Sequence, residues 1–189
     1  MAANTARRLA INPYGDTYPD DNTIKEVALQ ADGLVAANPA GRHVLLRWTN
    51  GTDADGRCYT QEIQLSGGPG NYGFHTPQVK AHSEESQRTN ACYVLGQYTR
   101  EQRDHIVALA KAVKFDRKSY VNNCQVWMRD LIEAMARAGL LSEAEFNKID
   151  VDVPLKKRVA ETQEVTLPEP FCDYHDRCSG IAGTSGGRE

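Results

Sequence analysis

The chain has 189 residues, and its 40% hydrophobic and 25% charged residues are typical of a globular domain rather than a disordered chain. Its charges are mixed along the sequence and sum to only -3, which argues against binding to nucleic acid or to a membrane surface. No segment reaches the ~18 apolar residues of a membrane span, and the N-terminus lacks the apolar core of a secretory signal. We therefore predict a cytoplasmic protein with reduced cysteines, without a cofactor or a nucleic-acid partner.

Changes in composition divide the chain into three parts. Residues 1–22 are polar and turn-rich, which predicts a loose arm that packs on the surface. Residues 23–165 contain the periodic apolar segments and form one domain. Residues 166–189 end in glycine, serine and charged residues, which is typical of a tail.

Short apolar stretches broken by turn residues predict strands in the first half of the domain. They are IKEVALQA (24–31), RHVLLRW (42–48), CYTQEIQL (58–65) and ACYVLGQY (91–98), with a shorter strand near Val79. The second and third form a hairpin with a long loop. In the third, Glu62 and Gln64 alternate with apolar residues, which predicts one buried and one polar face. Residues 66–90 are rich in Gly, Ser and Pro and predict a mobile connection.

Helix signals fill the second half of the domain. Helices are predicted to begin after Thr99, after Asn122 or Asn123, and after Ser142, with Gly139 ending the second. Strands that precede helices in this order predict an α+β fold, in which a small antiparallel sheet of four to five strands packs against a C-terminal helical half.

Cys124 stands where the first turn of the second helix begins. A helix N-terminus stabilises a thiolate, because its unpaired N–H groups and its dipole favour negative charge. The same N–H groups can hold an oxyanion that forms after attack on a carbonyl. A nucleophile at this position still needs a base from elsewhere in the chain.

His43 is the best placed of the five histidines to act as that base, because it begins a predicted strand and so sits on rigid scaffold. His105 lies on a solvated helix face, and the remaining three lie in the connection or the tail. A third group should orient the imidazole. The polar face of the neighbouring strand offers Gln64 and Glu62, of which Gln64 is preferred.

A strand histidine, a polar partner on the next strand and a later NNCQVW helix start together resemble the permuted papain-like (NlpC/P60) superfamily. Lecithin-retinol acyltransferase-like proteins and PPPDE peptidases share this order. Residues 43–135 also resemble an uncharacterised fungal domain family that pairs a strand histidine with a CxxW helix and a segment like AGLLSEAEF. The resemblance covers roughly residues 24–150.

The resemblance implies a thiol hydrolase or acyltransferase of permuted papain-like fold, with Cys124 as nucleophile, His43 as base and Gln64 as orienting residue. Asn123, Asn122 or the amide of Cys124 would then stabilise an oxyanion. Trp127 would lie near the substrate, an acyl compound that is a small molecule or a peptide, although apart from the resemblance Trp127 is expected in the core. Tyr72 could contact the substrate from a loop over the site. The superfamily usually has a histidine or an acid in the third role, so the neutral Gln64 is a departure.

Two other motifs point to chemistry less strongly. GPGNYG (68–73) fits a dinucleotide fingerprint in letters, but a proline follows where a helix is required, so a loop over the site is the better interpretation. Cys172, His175 and Cys178 offer three possible zinc ligands, but a structural zinc site needs a fourth ligand, and we assign no metal.

Two alternatives to catalysis stay open. A papain-like binding domain without activity would keep the cleft but lack a histidine in reach of Cys124. A structural or interaction domain would bury Cys124 in the core without an adjoining cleft, as most free cysteines are.

Overall fold

The structure is a computed structural model that describes residues 12–31, 43–75, 77–83, 88–153 and 155–161. It confirms the α+β class. The strands are β1 Lys25–Ala31, β2 Val44–Thr52, β3 Cys58–Ile63, β4 Leu65–Ser66, β5 Gly73–Phe74, β6 Gln78–Ala81 and β7 Ala91–Tyr98. The helices are α1 Arg100–Ala112, α2 Cys124–Arg137 and α3 Glu143–Asp152. No helix in the described ranges is long and apolar enough to cross a membrane.

Five strands form one antiparallel sheet in the order β6-β3-β2-β1-β7, and β4 and β5 form a separate ribbon. The predicted hairpin is present, but β2 continues to Thr52 through residues predicted to be a turn. The turn is shorter, because the carboxylate of Asp53 accepts bonds from the amides of Asp55 and Arg57. The predicted third strand is also interrupted: Gln64 lies between β3 and β4.

The core lies between one face of the sheet and α2, which contacts β2, β4 and both other helices. Apolar residues along one face of α2 are fully buried: Val126, Leu131, Ile132 and Met135. Each such side chain contributes about 1.5–3 kcal/mol through removal from water. Packing of this face therefore holds α2 in place more than helix propensity does.

The helix ends follow their local signals. Thr99 and Ser142 both form complete capping boxes, and Asn123 is the N-cap of α2. Gly139 has a φ of +71°, the left-handed conformation expected just beyond a helix end. Since capping contacts span only three or four residues, sequence patterns were sufficient to predict them.

Arg103 of α1 attaches residues 20–23 to the domain. Its side chain is completely buried, and its guanidinium donates to both carboxylate oxygens of Asp20 at 2.9 and 3.0 Å. It also donates to three backbone carbonyls, those of Asp21, Thr23 and Tyr98. All five guanidinium N–H groups therefore have an acceptor. Burial acts to raise the pKa of Asp20, but bonds from Arg103 and Lys25 and their charges lower it overall.

We expect Asp20→Asn to lower the free energy of unfolding by about 3–5 kcal/mol, because it leaves the Arg103 charge buried without a counter-charge. Urea denaturation would measure the loss. The matched control is Asp104→Asn, since Asp104 is exposed and, among the described residues, forms its ion pair with Arg100 one turn away; it should cost about 0.5 kcal/mol or less.

The Asp20–Arg103 pair also makes the stability of the fold depend on pH. Because the pKa of Asp20 is lower in the folded chain than in the unfolded chain, unfolding takes up a proton in acid, and stability should fall progressively below about pH 5. Asp20→Asn should lack this part of the acid sensitivity. If Asp20→Asn and Asp104→Asn lowered the free energy of unfolding equally at neutral pH, the role given to the Asp20–Arg103 pair would be contradicted.

Candidate active site

Cys124 is the first residue of α2 and is half-buried. The side-chain oxygen of Asn123 accepts from the amides of Gln125 at 3.0 Å and Val126 at 3.4 Å. The amide of Cys124 is therefore not used by this cap, and its dipole acts to lower the pKa of the neighbouring thiol. The thiol thus lies at the positive end of the helix dipole.

His43 immediately precedes β2, and its imidazole hydrogen-bonds to the thiol of Cys124. The backbone amide of the next residue, Val44, also donates to the sulfur. The start of β2 therefore supplies both a side-chain base and a backbone donor. Sequence analysis identified His43 but missed the Val44 amide, whose only signal is its position directly after the histidine.

Gln64 contacts the other side of the imidazole. Its side-chain oxygen Oε1 hydrogen-bonds to Nε2 of His43, and its side chain is buried. An imidazole has two ring nitrogens, so this bond leaves Nδ1 for Cys124. The structure therefore brings together the three residues predicted to be catalytic.

The surroundings of Cys124 lower the pKa of its thiol. Burial is the largest single influence and acts to raise the pKa, because it disfavours the charged thiolate. The hydrogen bond and charge of His43, together with the amides of Val44 and Cys124, outweigh burial and place the pKa below its usual range. A depressed thiol pKa gives more thiolate, which is the nucleophilic form.

Glu62 and Lys80 extend this arrangement away from Cys124. Nε2 of Gln64 donates to a carboxylate oxygen of Glu62 at 3.0 Å, and Lys80 forms a salt bridge with the same carboxylate at 2.9 Å. Sequence analysis named Glu62 as an alternative third residue. It gave no signal for Lys80, because that contact depends on how β6 pairs with β3.

Residues 68–72 lie beside this site, tied down by backbone hydrogen bonds. The amides of Gly70 and Tyr72 donate to the carbonyls of Ser119 and Arg117, at 3.1 and 2.8 Å. The mobile connection expected from composition is therefore anchored, in this part, to the turn that leads into α2. Tyr72 is buried, and both this burial and the charge of Cys124 raise the pKa of its phenol.

Trp127 belongs to the core rather than to a substrate surface. Its side chain is 1% exposed and its ring lies 5.4 Å from that of Phe74. The assignment of Trp127 as a substrate contact therefore needs correction: three residues after Cys124 on α2, its side chain faces inward.

Asn122 holds a later segment of the chain. Its Nδ2 donates to the carbonyl of Val159 at 2.8 Å and to the carboxylate of Glu161 at 2.7 Å, while its Oδ1 accepts from the amide of Val159 at 3.0 Å. Both side-chain N–H groups are committed to these partners, so the amide of Cys124 is a better candidate oxyanion donor than Asn122. Asn123 is committed through its oxygen to the helix cap.

The remaining candidates lie elsewhere. His105 and His75 are exposed, as expected for His105, whereas His82 is buried just beyond β6. No cluster of His, Cys, Asp or Glu in the described ranges is arranged to hold a metal. The motif at Cys172, His175 and Cys178 lies outside the described residues.

A cavity of about 260 Å³ adjoins the ring of His43 on the face of the sheet that points away from α2. Its lining is mainly polar and includes Gln30, Glu62, Lys80 and Asn90. This space beside the imidazole suits a polar group or water better than an acyl chain.

No family model, no curated protein and no solved structure matches this chain.

We expect Asn122→Ala to release the segment around Val159 without unfolding the domain. Three hydrogen bonds, each worth about 1 kcal/mol, are removed. Amide hydrogen exchange at Val159 should become about tenfold faster or more. Val121→Ala, at an exposed neighbouring position, should leave this exchange unchanged; equal rates in the two variants would contradict the structural role of Asn122.

Proposed function

We propose that the protein is a cysteine-dependent hydrolase or acyltransferase that acts on an amide, ester or thioester through an acyl-enzyme at Cys124. The observation that carries the proposal is the hydrogen bond between the thiol of Cys124 and His43, whose opposite nitrogen bonds Gln64. A histidine in contact with the thiol supports catalysis over the two alternatives, which predict either no histidine in reach or a cysteine enclosed by core residues.

In the first half-reaction His43 holds the proton of the thiol, and the thiolate attacks the substrate carbonyl carbon to form a C–S bond. The carbonyl π electrons move to oxygen, and the amide of Cys124 donates to that oxyanion. When the tetrahedral intermediate collapses, the bond to the leaving group breaks and His43 gives its proton to that group. The product of this step is a thioester on Cys124.

In the second half-reaction a water or an amine attacks the thioester carbonyl while His43 takes its proton. Collapse of the intermediate expels the thiolate and returns the proton to the thiolate–imidazole pair. Water gives hydrolysis, and an amine gives acyl transfer. The substrate is a small molecule or a peptide, and the fold is of permuted papain-like type in a cytoplasmic protein; these parts of the proposal rest on the residue pattern alone.

The first test is the reactivity of the thiol. In the wild type, the rate of alkylation of Cys124 by iodoacetamide should follow an apparent pKa below the ordinary thiol value of about 8.5. In His43→Ala, burial is opposed only by backbone donors, so the apparent pKa should rise and the rate at pH 7 should fall. Peptide mass spectrometry across pH would give the rate at each cysteine.

Cys92 is exposed and serves as an internal reference in both proteins. If Cys124 reacts no faster than Cys92 at pH 7, in the wild type as well as in His43→Ala, the assignment of Cys124 as the nucleophile is wrong.

The second test is the covalent intermediate. An activated ester such as p-nitrophenyl acetate should give a burst of about one equivalent of nitrophenol and one acetyl group on Cys124. His43→Ala should slow acylation by about 10²–10⁴-fold, the usual contribution of general acid–base catalysis. Cys124→Ala should abolish the burst and Cys92→Ala should retain it; a burst that survives Cys124→Ala would rule out this site.

A further inference from the structure

We propose that Glu62 is a positioning residue that, through Gln64, holds His43 in the tautomer able to take a proton from Cys124. The inference rests on the proposed role of His43 as the base. It concerns a residue that is connected to the imidazole through Gln64. What carries it is the directed series of contacts from the carboxylate of Glu62 to Gln64 and on to Nε2 of His43.

The carboxylate of Glu62 fixes the orientation of the Gln64 amide. A carboxylate can only accept hydrogen bonds, so the group of Gln64 that lies 3.0 Å from Glu62 must be its NH₂. Both residues are buried, at 5% and 8% exposure. A flipped amide would turn its oxygen towards the carboxylate and lose the contact. Glu62 therefore directs the oxygen of Gln64 towards His43.

The orientation of Gln64 in turn sets the tautomer of His43. An amide oxygen is an acceptor, so Nε2 of His43 must carry a hydrogen to bond it. In a neutral imidazole that places the lone pair on Nδ1, the nitrogen left for Cys124. The opposite orientation of Gln64 would favour hydrogen on Nδ1, and that tautomer cannot accept the thiol proton. Gln64 alone permits both orientations, and Glu62 selects one.

Glu62 also acts through its charge. A neutral glutamine cannot itself stabilise an imidazolium by charge, but the carboxylate behind it polarises the amide and strengthens its oxygen as an acceptor. Lys80 compensates the buried carboxylate and is 44% exposed, so its own charge is partly screened.

Two further charged or titratable groups lie near Glu62. One is Arg47, which lies opposite Glu62 on β2. The other is His82, whose pKa is lowered by its burial and by the charge of Arg47, whereas the charge of Glu62 acts to raise the pKa of His82. A Glu62 variant will therefore affect more than one neighbour. The test needs a readout at His43 itself.

The direct readout is the tautomer of His43, measured from imidazole ¹⁵N shifts and two-bond ¹⁵N–¹H couplings in the full-length chain. A Cys124→Ser background prevents an ion pair from protonating both nitrogens, and His43→Ala identifies the signal among the five histidines. At a pH where His43 is neutral, we expect one tautomer with hydrogen on Nε2. In Glu62→Gln we expect hydrogen on Nδ1 to appear in a substantial fraction.

With Cys124 present, Glu62→Gln should also slow alkylation of Cys124 at pH 7 by about tenfold, the effect of one charge-assisted hydrogen bond. Glu26→Gln, at an exposed position near the start of β1, is the matched control and should change neither quantity. The double variant Glu62→Gln/Gln64→Glu places a carboxylate directly against His43 and should restore both the tautomer and the rate.

Glu62→Asp serves as a second variant if Glu62→Gln does not fold. It keeps the charge but withdraws the carboxylate from Gln64, so it should also admit the second tautomer. A single Nε2–H tautomer in every Glu62 variant that folds would overturn the inference, whatever the activity. A tautomer that responds as expected in a protein that never acylates would instead support the inference and reject the proposed function.

Discussion

The hydrogen bond between His43 and Cys124 is the contact on which the site depends, because it joins the strand half of the chain to the helical half. His43 is carried by the start of β2, in the middle of the sheet, and Cys124 by the start of α2. Packing of α2 across the sheet brings these two ends together. The position of the thiol is therefore set by the same core that stabilises the fold.

Sheet pairing supplies the rest of the arrangement. Because β3 pairs with β2, the residue just after β3 lies diagonally across from the residue just before β2, and Gln64 reaches the imidazole. Because β6 pairs with β3, Lys80 reaches Glu62. The third position holds the amide of Gln64, which carries no charge of its own. Under the inference above, Glu62 supplies through that amide the negative charge that glutamine lacks.

Polar contacts also hold the segments around Cys124 in place. The turn before α2 holds residues 68–72 through backbone bonds, and Asn122 holds the segment at Val159. The short stretch that ends at Cys124 thus carries the nucleophile and also holds the neighbouring loop and the segment at Val159. Such support restricts the motion of the thiol relative to the imidazole, which a reaction that depends on a short proton transfer requires.

The sequence by itself determined the α+β class, most strand and helix positions, the helix caps and the identity of Cys124, His43 and Gln64 as candidates. Those features depend on periodicity and on contacts between residues three or four apart. Only the tertiary structure decided that Asn122 binds a segment 37 residues away and that Glu62 stands behind Gln64. Sheet register and helix rotation set these partners, and both are properties of the packed core rather than of any local stretch of sequence.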